Sequence, residues 1–214
     1  DMRTAAEELR PGAGDRVEII RSEAPGCEVK LQLRGYLRTP PVLSNKAVSA
    51  AEKTGQEVAM EDVSTGDEVE ISDALWKTLR GKNHLVFANA RRTVETYADL
   101  LGRKSDSENV PNEFFPHHGS LSKELREVCE ERLKKGTLPT TVICTSTLEL
   151  GIDIGAVVSV AQIGPPPSVA SLRQRLGRSG RRGEPSLLRL YVAEDPVGAG
   201  TPPQDQIRAS LVQA

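Results

Sequence analysis

Between residues 84 and 192 the chain alternates two kinds of stretch, and this alternation limits its fold more than any other feature. Short apolar runs at 84–88 (H-L-V-F-A), 114–117, 141–144, 156–163 and 187–192 are separated by longer segments with helical period. Val94, Tyr97, Ala98 and Leu101 fall at i, i+3, i+4 and i+7, which predicts an amphipathic helix. A second helix is expected over 122–135, with Leu125, Val128 and Leu133 inward and the pairs Glu130–Lys134 and Glu131–Lys135 on its wet side. A third is expected over 168–176, with Ser168 as cap and Val169, Leu172 and Leu176 on one face. The spacing of Ser146 and Glu149 is that of a capping box, so a helical turn is expected there too. Strands that are apolar throughout need cover on both faces, and strands alternating with helices point to a parallel sheet. The predicted fold class is therefore α/β: a parallel sheet with crossover helices on both faces, preceded by an irregular N-terminal extension. Ligands of such sheets gather at the carboxyl ends of the strands. The unusual residues at 89–92, 117–120, 145–153 and 178–182 are accordingly expected to converge on one edge.

The organisation reads as three parts. Residues 1–71 form the extension: a polar lead-in with P-G-A-G at 11–14, short strands at 16–21 and 28–33, and an acidic, irregular connection over 38–70. Residues 72–195 form the α/β domain, and residues 196–214 a tail leading to a following domain. Asp1 is not a natural start, which suggests a piece of a longer chain.

Charge narrows the partners. With 28 Lys+Arg against 30 Asp+Glu the net charge is -2, so the molecule is not basic all over. Residues 1–70 carry a net -5 and residues 71–214 a net +3, which assigns any polyanion site to the second part. Three cysteines without C-x-x-C spacing argue against a disulfide framework or zinc site and for a reducing compartment. Three histidines, two of them adjacent, are too few for a typical metal cage. No apolar run is long enough to span a bilayer, so no membrane partner is expected.

The polyanion site has one clear focus. Residues 173–182 read R-Q-R-L-G-R-S-G-R-R, five arginines in ten residues without an acid. Arginine stays charged and offers a fork of donors suited to phosphate oxygens, while Gly177 and Gly180 allow close approach of backbone or ligand. Thr145 and Ser146 end a predicted strand, where hydroxyls and free amides suit phosphates; Ser146 can equally be a plain helix cap. Gly119 lets a backbone amide approach a phosphate, and His118 beside it either joins that contact or packs beneath the loop. Asn89, Arg91 and Arg92 open a helix whose positive end favours anions. Asp153, set among Gly151, Ile152, Ile154 and Gly155, can accept from ribose hydroxyls or brace its own loop. Trp76, the one tryptophan, is expected in the core rather than under a base.

Four of these segments, in order, resemble the second RecA-like lobe of superfamily-two helicases of DEAD/DEAH type: H-L-V-F-A-N-A-R (84–91), H-H-G-S-L-S (117–122), T-S-T-L-E-L-G-I-D-I-G (145–155) and Q-R-L-G-R-S-G-R (174–181). Within that superfamily they are most similar to the large helicase-related, or Lhr-like, group, although Arg181-Arg182 stands where a His is expected nearby. The resemblance implies a motor lobe. Arg178 and Arg181 would act as arginine fingers on ATP, Gln174 would organise the interlobe site, and Gly151 and Asp153 would lie near the nucleotide. Asn89, Arg91, His118, Gly119, Thr145 and Ser146 would hold one strand of DNA, with RNA not excluded. ATP with magnesium would sit mainly on a first RecA-like lobe, because neither G-x-x-x-x-G-K-[ST] nor a D-E-x-[DH] box after a buried strand occurs in this chain. The fragment alone is then expected to be inactive, and the location cytoplasmic (nucleoid-associated in a prokaryote). The rival reading is a helicase-fold module that binds nucleic acid or protein without ATP. A dinucleotide-binding fold is disfavoured, since Gly177, Gly180 and Gly183 follow a helix and lack G-x-G spacing.

Overall fold

The computed structural model describes residues 2–18, 28–43, 63–150, 153–155, 157–180 and 185–207. Its centre is a six-stranded sheet formed by β1 (Val29–Leu37), β4 (His84–Ala88), β5 (Phe114–His117), β6 (Thr141–Cys144), β7 (Ser159–Ile163) and β8 (Ser186–Glu194), in the order β1-β8-β7-β4-β6-β5. Every pairing in it is parallel. A small antiparallel ladder joins β2 (Pro41–Leu43) to β3 (Val63–Thr65). The helices are α1 (Met2–Leu9), α2 (Gly66–Leu79), α3 (Arg91–Ser107), α4 (Lys123–Lys135) and α5 (Val169–Leu176).

The period of two along each strand divides the core between two faces. Val86, Ala88, Phe114, Ile143, Ala161, Ile163 and Tyr191 pack under α2 and α3, through Ile71, Leu75 and Leu79 of the first and Val94, Tyr97 and Leu101 of the second. Leu85, Phe87, Val142, Cys144, Val160, Leu188 and Leu190 face the other way, under Cys129 and Leu133 of α4 and Leu172 and Leu176 of α5. The α/β class with helices on both faces is thus as the alternation predicts. Trp76 lies in the first core layer, its ring stacked on Phe114 at 5.6 Å and capped by the Arg80 guanidinium at 4.5 Å.

Several local expectations change. The strand expected at 16–21 is a 3-10 turn at Gly14–Arg16, followed by two residues outside any strand; residues 19–21 lie outside the described residues. The strand expected at 28–33 is longer and belongs to the main sheet: β1 lies parallel to β8, with Val29 opposite Ser186 and Leu37 opposite Glu194. Of the connection at 38–70, the described part holds β2, β3 and the start of α2, where Glu68 accepts from the Thr65 N–H at 2.9 Å. The acidic run at 67–70 is therefore a helix N-terminus, where acids are favourable.

On α4, Leu125 and Val128 are exposed (56 % and 53 %), while the buried stripe is Cys129 and Leu133. Glu131–Lys135 forms as expected (2.7 Å), but Glu130 goes to His117 and Lys134 to Asp153 instead of to each other. On α5, Val169 points outward, and Ser171 and Arg175 take the inner face beside Leu172 and Leu176.

At the amino end of the sheet, the imidazole of His84 is buried against the Ser159 hydroxyl (Nδ1 to Oγ 2.7 Å), which also accepts from Arg189 at 2.5 Å. Burial first, then Arg189 and Lys82, lower its pKa from 6.5 to about 4. A histidine whose folded pKa is depressed stabilises the fold fully above its unfolded value and loses that contribution as the pH falls towards the folded one. The chain should therefore lose roughly 3 kcal/mol between pH 6.5 and about 4 from this group. Urea titrations across that range should show a shallower pH slope for His84→Gln; an unchanged slope would assign the acid sensitivity elsewhere.

Candidate nucleic-acid and nucleotide interface

The strand register brings part of the sequence-predicted site together. Ala88 lies opposite Ile163, and Phe87 and His117 lie opposite Cys144, so Asn89, His118, Thr145 and Gly164 leave the sheet at one level. At this carboxyl edge Asn89 donates to the Pro165 carbonyl at 2.8 Å and accepts from Gln162 at 3.4 Å. The exposed Arg91 reaches across to the Ser120 hydroxyl, linking the N-terminus of α3 to the turn after β5. A Cβ on Gly119 would meet nothing within 4 Å, so the approach to this turn is open. Thr145 is half-buried, its N–H donating to the His117 carbonyl at 3.3 Å and its side chain making no capping bond. Ser146 is exposed and starts a 3-10 turn, Ser146–Leu148; the capping box expected between it and Glu149 does not form, because Glu149 is engaged elsewhere.

The two histidines lie beneath this edge. His117 is buried, with Nδ1 2.8 Å from the Thr147 hydroxyl and Nε2 3.0 Å from Glu130, so it ties β5 to α4 and to the 3-10 turn. Its burial outweighs the pull of Glu130 and lowers its pKa. The His118 ring is also buried, with Nε2 3.0 Å from Glu95 but in hydrogen-bonding geometry with nothing. From 118–120 the chain offers solvent its backbone and Ser120 rather than an imidazole. Beside Asn89 a groove of roughly 280 Å³ opens between α2 and α3. Asp67, Glu68 and Arg38 line it, so it carries both signs of charge.

Of the remaining predicted residues, the described ones (Asp153, Gln174 and Arg178) lie off that edge, so the single convergent edge is corrected to two clusters. Residues 145–150 leave the carboxyl edge over the α4/α5 face, and residues 153–155 lie towards the amino edge. Lys134, in the last turn of α4, holds the exposed Asp153 at 3.0 Å, and Val158 then donates to the carbonyl of Asn83, just ahead of β4. The C-terminus of α5 ends at the same side, since Ser179 pairs with Val157, two residues ahead of β7. Gln174 is exposed on α5, whereas Gly151 and Arg181 lie outside the described residues. Gly180 serves the chain more than a ligand: its φ is +71° and a Cβ there would come within 2.6 Å of the Ser186 N.

What joins the two clusters is a contact that sequence reasoning missed. Arg175 is 2 % exposed. It donates Nε (3.0 Å) and Nη2 (2.9 Å) to the Glu149 carboxylate and Nη1 to Gln162, and lies over the Phe87 ring at 4.7 Å. Arg178, nearly as buried, donates Nε (3.2 Å) and Nη2 (2.8 Å) to the Glu149 backbone carbonyl. One acid thus holds both arginines, one through its side chain and one through its main chain. The signal was in the sequence: Leu172, Arg175 and Leu176 share one helical face, so Arg175 had to be either buried and paired or misplaced.

With that geometry in place, comparison with known proteins decides the family. The model of the helicase conserved C-terminal domain matches residues 68–183. The chain belongs to that family. This helicase C-terminal domain is 39 % identical over 128 residues to the ATP-dependent helicase Lhr-Core of Saccharolobus solfataricus, a match covering 56 % of the chain and 14 % of that protein. Over 85 residues it is 58 % identical to the Lhr helicase/probable uracil glycosylase of Mycolicibacterium smegmatis, 40 % of the chain and 6 % of that protein. The chain therefore spans only a small part of the relatives it matches. Among solved structures it is similar to Mycobacterium smegmatis helicase Lhr bound to ssDNA and AMP-PNP, with a TM-score of 0.53, 34 % identity, and 78 % of this chain and 20 % of that one covered. The C-terminal domain of the DEAD-box protein Dbp5 (TM-score 0.52, 18 % identity, 78 % of this chain and 77 % of that one) shares the fold, which is the RecA-like lobe that the motifs imply.

Removing one partner of a buried pair leaves a desolvated charge, which costs about 3–5 kcal/mol. Arg175→Ala should therefore destabilise the chain by roughly 3 kcal/mol or more in denaturant titrations. Glu131→Ala, which breaks an exposed and screened pair, should change stability far less. Equal losses for the two would contradict the buried-pair assignment.

Proposed function

We propose that this chain is the second motor lobe of an ATP-dependent nucleic-acid helicase. In this reading the carboxyl edge grips one strand by its phosphates. Asn89, Arg91, the backbone at His118 and Gly119, and the hydroxyls of Thr145 and Ser146 supply donors at one level. The observation that carries the reading is that these donors, from three separate strand ends, share a surface joined by one loop to the arginine helix. The strand is proposed to be single-stranded or unwinding DNA, with RNA not excluded; the similar Lhr structure is described as bound to ssDNA. The cell compartment proposed is the cytoplasm.

On the other side Arg178 and Arg181 would complete an ATP site whose triphosphate cradle belongs to a first RecA-like lobe. ATP hydrolysis spreads charge over the γ-phosphate oxygens in the transition state, and a guanidinium presented from a second lobe stabilises that charge. A carbonyl such as that of Glu149 can orient Arg178 without neutralising it. Gln174, Gly151 and Asp153 are assigned to the same interlobe surface. Magnesium, like the triphosphate cradle, is assigned mainly to the first lobe. Closing of the two lobes on ATP and opening after hydrolysis would then advance the strand. The chain alone is proposed to be inactive.

In the polypeptide that joins this lobe to its first lobe, Arg178→Ala and Arg181→Ala should each lower strand-stimulated ATP turnover by about 10²-fold or more, with nucleotide binding largely kept. Unchanged turnover would favour a module that binds nucleic acid or protein without ATP. Strand affinity should be insensitive to sequence and fall with salt at a log–log slope of about -0.7 per phosphate held. Thr145→Ala should weaken binding to oligodeoxythymidylate several-fold, by about 1 kcal/mol; full retention of affinity would remove Thr145 from the interface.

A further inference from the structure

We infer that Glu149 is the positioning residue that passes strand binding to the arginine helix, so that Arg178 is set for ATP only when the carboxyl edge is loaded. The inference rests on the two-surface reading above and goes beyond it by naming the connection.

Glu149 lies four residues after Thr145, and the turn between them is held by the bond from Glu149 N–H to the Ser146 carbonyl at 3.0 Å. Leu148, fully buried in the α4/α5 face, anchors that turn, and the Thr147 hydroxyl lies 2.8 Å from His117 Nδ1 and 3.3 Å from the His117 carbonyl. A strand seated on Thr145 and Ser146 thus acts on a short, braced segment rather than on a slack loop. At its far end Glu149 does two things at once. Its carboxylate holds the buried Arg175, which Gln162 of β7 and the Phe87 ring also fix. Its carbonyl holds Arg178 through two donors. Arg175 and Arg178 are one turn apart on the end of α5, so a shift of Glu149 bears on both. The side-chain bond tells the helix where the loop is, and the main-chain bond aims the second guanidinium.

Charge makes Glu149 hard to replace. A buried guanidinium keeps its position only while an acceptor of opposite charge stays with it. An uncharged glutamine has the same shape but a weaker hold, so α5 and the turn at 145–149 should no longer move together.

The test uses the polypeptide that contains the first lobe, with ATP and oligodeoxythymidylate as probes. In Glu149→Gln, strand-stimulated kcat should fall about tenfold or more, while KM for ATP and strand affinity stay within about threefold. A residue that merely held the fold would lose all three together. Should Glu149→Gln fold poorly, the double substitution Glu149→Leu with Arg175→Met removes the buried pair without leaving a lone charge. Its fold is checked by denaturant titration of the 214-residue chain. It too should bind the strand and lack stimulation. Wild-type stimulation in either folded variant, or joint loss of kcat, KM and strand affinity, would overturn the inference while leaving the lobe reading intact. A wild-type protein with no strand stimulation at all would remove the lobe reading and the inference with it.

Discussion

A buried guanidinium organises this lobe. Arg175 lies inside the α4/α5 face among apolar neighbours, and its charge is tolerable only because Glu149, Gln162 and the Phe87 ring surround it. Each partner comes from a different element: the crossing segment after β6, the strand β7 and the central strand β4. Satisfying one side chain therefore fixes the relation of a helix, a loop and two strands. Packing alone would hold α5 on the sheet through Leu172 and Leu176 without fixing where the helix ends relative to Glu149. The ion pair adds that registration, and the placement of Arg178 follows from it.

The sheet supplies the other half of the arrangement. Parallel strands with level ends put every turn after a strand at one edge and every helix end at the opposite one. Residues 145–150 start at the first edge, whereas residues 153–155 lie at the second. The two chemistries proposed for the lobe, phosphate contact and transition-state charge, thus occupy separate surfaces that share one covalent segment. A RecA-like lobe of this kind needs no jointly formed pocket of its own to link them.

Much of this was legible in the sequence because parallel strands buried on both faces carry a strong signal. β4, β5 and β6 coincide with their apolar runs, and α3 buries the four residues its period selects. The motifs at 84–91, 117–122 and from 145 onward also lie at strand ends, whereas that at 174–181 lies at the end of a helix. Sequence reasoning failed where tertiary partners override local pattern. Leu125 and Val128 have the right period on α4, yet that helix turns them outward and buries the shorter Cys129 with Leu133. Glu130 and Lys134 have ideal spacing, but His117 and Asp153 offer competing partners from outside the helix. β1 shows the same effect at longer range: an edge strand with alternating charge gives no hint that it adds to β8, more than 150 residues away. The buried role of Arg175 was concealed by its neighbours, since a run of five arginines reads as one basic surface while the helix sorts its members between core and solvent.

The division into two surfaces is the central claim, and the most direct measurement is an amide chemical-shift map of this chain titrated with oligodeoxythymidylate. The account predicts the largest shifts at Asn89, Gly119, Thr145 and Ser146, a smaller response relayed to Glu149 and Arg178, and none at Lys134 or Asp153. Shifts centred on Asp153 and the end of α5, with the carboxyl edge silent, would contradict it.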